Sequence, residues 1–564
     1  MNKKWLAWNT FLNSNNCQNN WQDCVFLSLI MLISMVLYIG KLGFYSDDWA
    51  FLGGWILAED QSPLGLMRAF YSPLVAMRPV QTIYLSLLYW LFELNPIGYH
   101  LVNSAVFISG VLLFYLMLRQ LRQNRLLALT LPMVYGLLPH YSTDRFWMAT
   151  FQANLSMTLY FLSLYSDLRM LQARPKYLWL WKLISLLSLF GSTLAYEVFL
   201  PLFLLNPLLV LYHKRQLHSV GLGLQIPWRK LAALLGSNLL SLLLVVVFKL
   251  LATIRLEGNS VNPIEQIKNI TRWSLIISVR EYGLGLPRII WRILQKYPNP
   301  AILTLGVVLS LIILSYLSQL INRSSIKLLN RKSICKLIGL NLIVYGLGYA
   351  IFINNSNVGF TTTGISNRTA IAAAIGVAGL WVVGLAWVSS LINSIYLQKY
   401  FFCILITLLC FSGFLINNTI ALFWIDAYHK QQEIIADVRQ AFPTFPAGST
   451  LILDGICPYM GPGIVFESNW DLMGVLRIIY RDLTLKSDVV TSNLKVEKDG
   501  LTTLVYGNLN PYPYNQNLFI YNFTKKKITR LVNAETAHSY FAQFNPDYSN
   551  GCPKGHEGKG VPIF

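Results

Sequence analysis

Along most of this chain apolar and polar residues do not alternate; the apolar positions come in long unbroken runs, and run length decides what they form. A helix rising 1.5 Å per residue needs about 20 apolar residues to cross roughly 30 Å of hydrocarbon. Eleven runs are candidate spans, at about 22–42, 98–118, 126–142, 147–166, 178–195, 196–212, 230–253, 300–320, 335–353, 370–391 and 400–423. The pair covering 178–212 demands a very tight turn at Tyr196-Glu197. A further apolar stretch, 80–94, lies too close to the next run to span beside it and reads as an interfacial helix. After residue 423 the pattern changes. There "HKQQEIIADVRQAF" reads as a helix, "STLILDG", "TTLVYG" and "NLFIYNF" as short strands, and "NPYPYNQN" as a turn cluster. The expected fold is mainly α: a polytopic transmembrane bundle of about eleven spans over 22–423, preceded by a cytoplasmic N-terminus, 1–21, and followed by a small α+β domain, 424–564.

Composition agrees with this. The 564 residues are 54% hydrophobic and 12% charged, with a mean hydropathy of +0.48, so charge is about half the roughly 25% usual in soluble domains. An excess of 45 Lys and Arg over 25 Asp and Glu gives +20. With residues 3 and 4 (Lys-Lys) on the cytoplasmic side, the predicted inner loops 119–125, 167–177, 213–229, 321–334 and 392–399 are all basic and nearly free of acid. That is the positive-inside pattern, so much of the excess reports topology and not a nucleic-acid footprint. The opposite face then receives Asp47, Asp48, Glu59, Asp60, Asp144 and Glu197, together with the C-terminal domain. One outer loop, 254–299, breaks the rule with seven cations, yet "IEQIKNITRWSLIISV" and "LPRIIWRILQKY" have the pattern of amphipathic helices lying on a surface. The first run lacks a small-residue cleavage site after a short apolar core and reads as a retained span.

The seven cysteines carry no CxxC spacing, and Cys335, Cys403 and Cys410 sit in apolar runs as small hydrophobes. Cys457 and Cys552, in the outer tail, make a disulfide plausible in an oxidising exterior.

The candidate chemistry begins at "GFYSDDWAFL", residues 43–52, in an outer loop spanning about 43–97. Two adjacent carboxylates at a membrane rim disfavour each other's ionisation, and Tyr45, Trp49, Phe51 and Trp55 leave them little bulk water. The bland account is a helix cap and a solvated loop acid. The functional account is a general base beside a second acid that positions the acceptor or binds a divalent metal ion.

An Asp-Asp pair just after the first span, followed by "MRPVQTIYLSLLYWLFELNPIGYHLVNSAVF", resembles the GT-C superfamily of polyprenyl-phosphate-sugar-dependent glycosyltransferases, and in particular its protein O-mannosyltransferase and aminoarabinose-transferase branch. The resemblance covers about residues 20–220. It implies Asp47 as catalytic base and Asp48 as its supporting acid, with Asp144 in "HYSTDRFW" and Glu197 in "AYEVF" as further acids from later outer loops. Tyr196 stands where some relatives have a base. Asp144 has the equal alternative of a local pair with Arg145. Arg368 in "GISNRTA", then Arg78 in "MRPV", are the donor-phosphate candidates, because a guanidinium matches phosphate bidentately; either also suits snorkelling to lipid headgroups. His100 binds phosphate or caps the turn at Asn95-Pro96, and Asn367-Arg-Thr369 is a formal glycosylation sequon.

The implied partners are a polyprenyl-phosphate sugar, membrane lipid, and an acceptor that is a protein, lipid or glycan. The rival reading is a transporter or flippase, which carries coupling acids at the midplane and inverted repeats. Here the acids lie at one rim, the span centres are almost free of charge, and no repeat is visible. A non-catalytic membrane scaffold is the third reading.

Overall fold

The structure is a computed structural model, and it describes residues 3–70, 76–219, 227–253, 262–322, 331–354, 358–491, 494–505 and 508–542. Each of the eleven apolar runs is helical. Among the described residues seven segments are long and apolar enough to cross a membrane: Pro96–Gln120, Pro175–Ala195, Glu197–His218, Trp228–Ala252, Pro300–Ile321, Ser333–Ala350 and Ile395–Ala441. Arg125–Leu137 and Ala373–Ser389 are shorter apolar helices of the same bundle. The chain is therefore a polytopic membrane protein with a small C-terminal sheet region.

Several local expectations hold. The 80–94 stretch forms a helix, Pro79–Phe92, and the basic 254–299 loop contains two amphipathic helices, Pro263–Leu275 and Leu286–Lys296, joined by a π-helical segment. The tight turn at Tyr196-Glu197 is real: Tyr196 is extended, with φ −158° and ψ 129°, and a 3₁₀ segment Glu197–Leu205 follows. Pro201 inside that segment has no N–H to donate and clashes with an α-helical turn, which favours the irregular geometry. The first span differs, because its helix Lys3–Met35 gives way to turns over 36–41.

Polar networks mark the two ends of the bundle. At one end, Arg125 Nε and Nη2 both donate to Asp23 at 2.8 Å, and the hydroxyls of Tyr115 and Tyr316 donate to the same carboxylate at 2.5 and 2.7 Å. Lys182, Asp167 and Asn238 form a second buried triangle. At the other end the loops after Met35, after Leu137 and before Ala373 converge, and these carry Asp47, Asp144 and Arg368.

The tail contains two corrections. The expected separate helix "HKQQEIIADVRQAF" is the continuation of the last span: Ile395–Ala441 is one helix of 47 residues. At 1.5 Å per residue it extends about 70 Å, more than twice the hydrocarbon thickness, because no Gly or Pro interrupts it after Gly413. The stretch "NPYPYNQN" is not all turn, since its first half belongs to the strand Asn508–Pro513, which among the described residues pairs only with the strand Gly500–Val505. Pro511 and Pro513 are tolerated there because an edge strand needs no N–H on its free side.

The main sheet lines up, edge to edge, the strands Lys486–Val489, Thr450–Asp454, Leu518–Asn522 and Lys527–Arg530; the first three are parallel and the last is antiparallel to its neighbour. Alternation with period two sends Leu451, Leu453, Phe519 and Tyr521 to the large core shared with the membrane domain. Ile452, Leu518 and Ile520 face a second core with Leu501 and Tyr512. Cys457 is disulfide-bonded; Cys552, its expected partner, lies outside the described residues. Between the strands Thr450–Asp454 and Lys486–Val489 the chain forms the helix Asn469–Tyr480, which lies directly on the helix Asp47–Trp55. The contact is backbone to backbone: a Cβ on Gly474 would collide with Trp49 O, and one on Gly53 would fall 2.7 Å from Gly474 O.

Candidate active site

The Asp-Asp pair opens the helix Asp47–Trp55, so carboxylates occupy the first turn, where the helix dipole favours negative charge. The two acids face different ways. Asp48 is fully buried; its Oδ2 accepts from Tyr45 N at 2.9 Å and its Oδ1 from Ala149 N at 2.8 Å. It thus clips the first loop to the 3₁₀ turn Met148–Thr150 of the next one. Burial pushes its carboxyl well above the usual carboxylate range, against the opposing pull of those backbone donors. Asp47 is half-buried at the head of the helix. Adjacent positions on a helix lie about 100° apart, so one acid of the pair must turn away when the other turns in.

Trp147 joins the pair to the cations. Its Nε1 donates to Tyr45 O at 2.9 Å, and the guanidinium of Arg368 lies 5.0 Å from its ring centroid. Arg368, half-buried, acts electrostatically on both Asp144 and Tyr196. Arg78 lies 4.7 Å from the Tyr196 ring and binds Glu197 bidentately, at 3.0 Å through Nε and 2.5 Å through Nη2. Lys249 Nζ completes the group, 3.2 Å from Glu197 Oε2 and 2.9 Å from Met77 O. Two cations therefore share one carboxylate, and Glu197 raises the affinity of the Arg78 guanidinium for its proton.

Asp144 is fully buried and forms no ion pair with Arg145 or any other described residue. Its carboxylate oxygens find no well-formed hydrogen bond; Thr150, Arg145 and Arg368 are the polar groups around it, and burial holds its carboxyl well above the usual range. Arg145 turns the other way, donating to Gly136 O and lying 4.8 Å from the Phe107 ring. His100 is also inward: Nε2 donates to Gly43 O at 3.1 Å and the ring meets Phe151 edge-on, so it braces the start of the acid loop. Asn367 of the formal sequon is buried, bonded to Ser142, Thr143, Thr362 and Pro139, and holds the Arg368 segment against the second loop.

The tertiary structure thus brings Asp47, Asp48, Asp144, Glu197, Arg78 and Arg368 to one end of the bundle. It adds Trp147, Tyr196 and Lys249, and, from the C-terminal domain, Glu467, whose Oε1 accepts from Ser46 Oγ at 2.6 Å. Of these only Tyr196 had a hint in the sequence, as a departure from the pattern that the resemblance implies. Among the described residues no three His, Cys, Asp or Glu side chains gather to ligate a metal ion, and both Asp48 oxygens are committed to backbone N–H groups. Cavities of about 800 and 450 Å³ lie elsewhere, the first bordered by Arg125 and Tyr316 and the second by Lys336 and Asn341; neither is lined by these acids.

No family model and no curated protein matches this chain. Among solved structures it is similar to ArnT from Cupriavidus metallidurans bound to undecaprenyl phosphate, with 13% identity, 82% of this chain and 89% of that one covered, and a TM-score of 0.33. The apo oligosaccharyltransferase of Archaeoglobus fulgidus is similar with 12% identity over 77% of this chain and 62% of that one, TM-score 0.37. The same oligosaccharyltransferase tethered to an acceptor peptide gives 12% identity, 82% and 63% coverage and a TM-score of 0.37, so the chain spans less than two thirds of that protein. Likenesses this weak do not decide the chemistry of the site, which rests on its own residues.

Proposed function

We propose that this chain is a membrane glycosyltransferase that moves a sugar from a polyprenyl-phosphate donor to an acceptor outside the cytoplasm, with Asp47 as general base. The observation that carries the reading is a continuous set of contacts from Asp48, the chain neighbour of the half-buried Asp47, through Tyr45 and Trp147 to Arg368, beside the group Arg78, Glu197 and Lys249. A base and cations gathered at one site are what transfer from a lipid phosphate needs.

In this mechanism Asp47 takes the proton of an acceptor hydroxyl or amine as its oxygen or nitrogen attacks C1 of the sugar. The bond from C1 to the phosphate oxygen breaks, the configuration inverts, and polyprenyl phosphate leaves with the electron pair. Arg368, with Arg78 and Lys249, stabilises the charge that builds on that phosphate. Asp48 positions Asp47 by pinning the turn that carries it. Asp144, held toward its neutral form, keeps a second negative charge away from the phosphate.

The test uses membranes containing the full chain and a panel of polyprenyl-phosphate sugars. The wild type should release polyprenyl phosphate from at least one, and Asp47→Asn should lower turnover by about 10²–10⁴ with donor binding near normal. Undiminished turnover by Asp47→Asn would overturn the assignment. Movement of the lipid-linked sugar across vesicles with its bond intact would favour the transporter instead.

A further inference from the structure

Ser46, the residue before Asp47, has φ 46° and ψ −117°, a region that a residue with a Cβ rarely adopts. Such a conformation persists only when its surroundings hold it. The hold comes from the C-terminal domain, 421 positions away in sequence: the buried Ser46 hydroxyl donates to Glu467 Oε1 at 2.6 Å. Glu467 is itself fixed from two sides. Tyr459 OH donates to its other oxygen, and its backbone N–H donates to Asp471 Oδ2 at 2.7 Å. Asp471 accepts also from Leu472 N and Ser468 N, at the start of the helix Asn469–Tyr480 that packs on the helix Asp47–Trp55.

We propose that Glu467 is a positioning residue for Asp47: by holding Ser46 in its left-handed conformation, the C-terminal domain sets the direction from which the base enters the site. The catalytic consequence rests on the reading of Asp47 as general base; the structural one does not. The tail is then part of the active-site loop's support and not an appendage hung beside it.

The reporting groups are the amides of Asp48 and Trp49, which donate to Tyr45 O and Ser46 O at 3.0 and 3.1 Å. Hydrogen exchange of the 43–55 segment, followed by mass spectrometry on the full chain in lipid nanodiscs, reads their opening. Ser46→Ala removes the hydrogen bond and keeps the Cβ, so exchange should accelerate by on the order of tenfold. Ser46→Gly removes both the bond and the strain and should exchange much as wild type does. Glu467→Ala should match Ser46→Ala, and the pair Glu467→Ala with Ser46→Gly should recover most of the protection. Glu467→Gln, which still offers a carbonyl oxygen, should stay close to wild type. Equal exchange in Ser46→Ala and Ser46→Gly, or no recovery in the double variant, would overturn the proposal. A protein whose loop behaves as expected but which consumes no donor would refute the function and leave the positioning role standing.

Discussion

Asp48 offers the sharpest check on how the site is built, because its two hydrogen bonds tie together two loops that are 101 residues apart in sequence. Asp48→Ala leaves Tyr45 N and Ala149 N buried without acceptors. Each deprived donor costs about 1–3 kcal/mol, so the local structure should weaken by about 2–6 kcal/mol. Asp48→Asn keeps one acceptor oxygen and turns an NH₂ toward the other donor, which should cost about 1–3 kcal/mol. The pH dependence has a definite sign. Burial raises the folded carboxyl above its unfolded value of 3.8, so the stability it contributes is fully present below that value. It is lost as pH rises through the raised one, by up to about 1.4 kcal/mol per pH unit. Asn does not titrate, so the gap between wild type and Asp48→Asn should be widest near pH 4 and narrow toward neutrality. Hydrogen exchange of the 43–55 and 143–152 segments at several pH values, corrected for intrinsic rates, measures it. Protection in Asp48→Ala equal to wild type would refute the clip, and a gap that widens with rising pH would show that the carboxylate is stably charged.

Two further substitutions test the phosphate site and the docking of the C-terminal domain. Arg368→Ala should weaken binding of polyprenyl phosphate by about 1.5–3 kcal/mol, roughly ten- to a hundredfold, in an equilibrium binding assay; unchanged affinity would move the phosphate to Arg78 and Lys249. Gly474→Ala drives a Cβ into Trp49 O, so the two helices must separate, and thermal unfolding in detergent should show a loss of about 1–3 kcal/mol. Stability equal to wild type would mean that the contact yields freely.

Run length alone made the helical bundle legible, because a span depends on about 20 consecutive residues. The helix Pro79–Phe92 and the short strands were equally local. Their partners were not. Nothing in "SDDW" says which carboxylate is turned inward, because that depends on where Ala149 N arrives. The Arg78 and Glu197 pair joins positions 119 apart, and Lys249 adds a third from a different helix. The continuation of the last span into the tail was hidden by a change from apolar to polar residues, although the backbone needs only the absence of a breaker to remain helical. Ser46 carries no mark of its conformation either; its φ is imposed by Glu467, which reaches it only after the C-terminal domain has docked. Secondary structure and the apolar helices follow from periods and lengths within a segment. The site follows from contacts between segments, whose energies are counted only once the whole chain has packed.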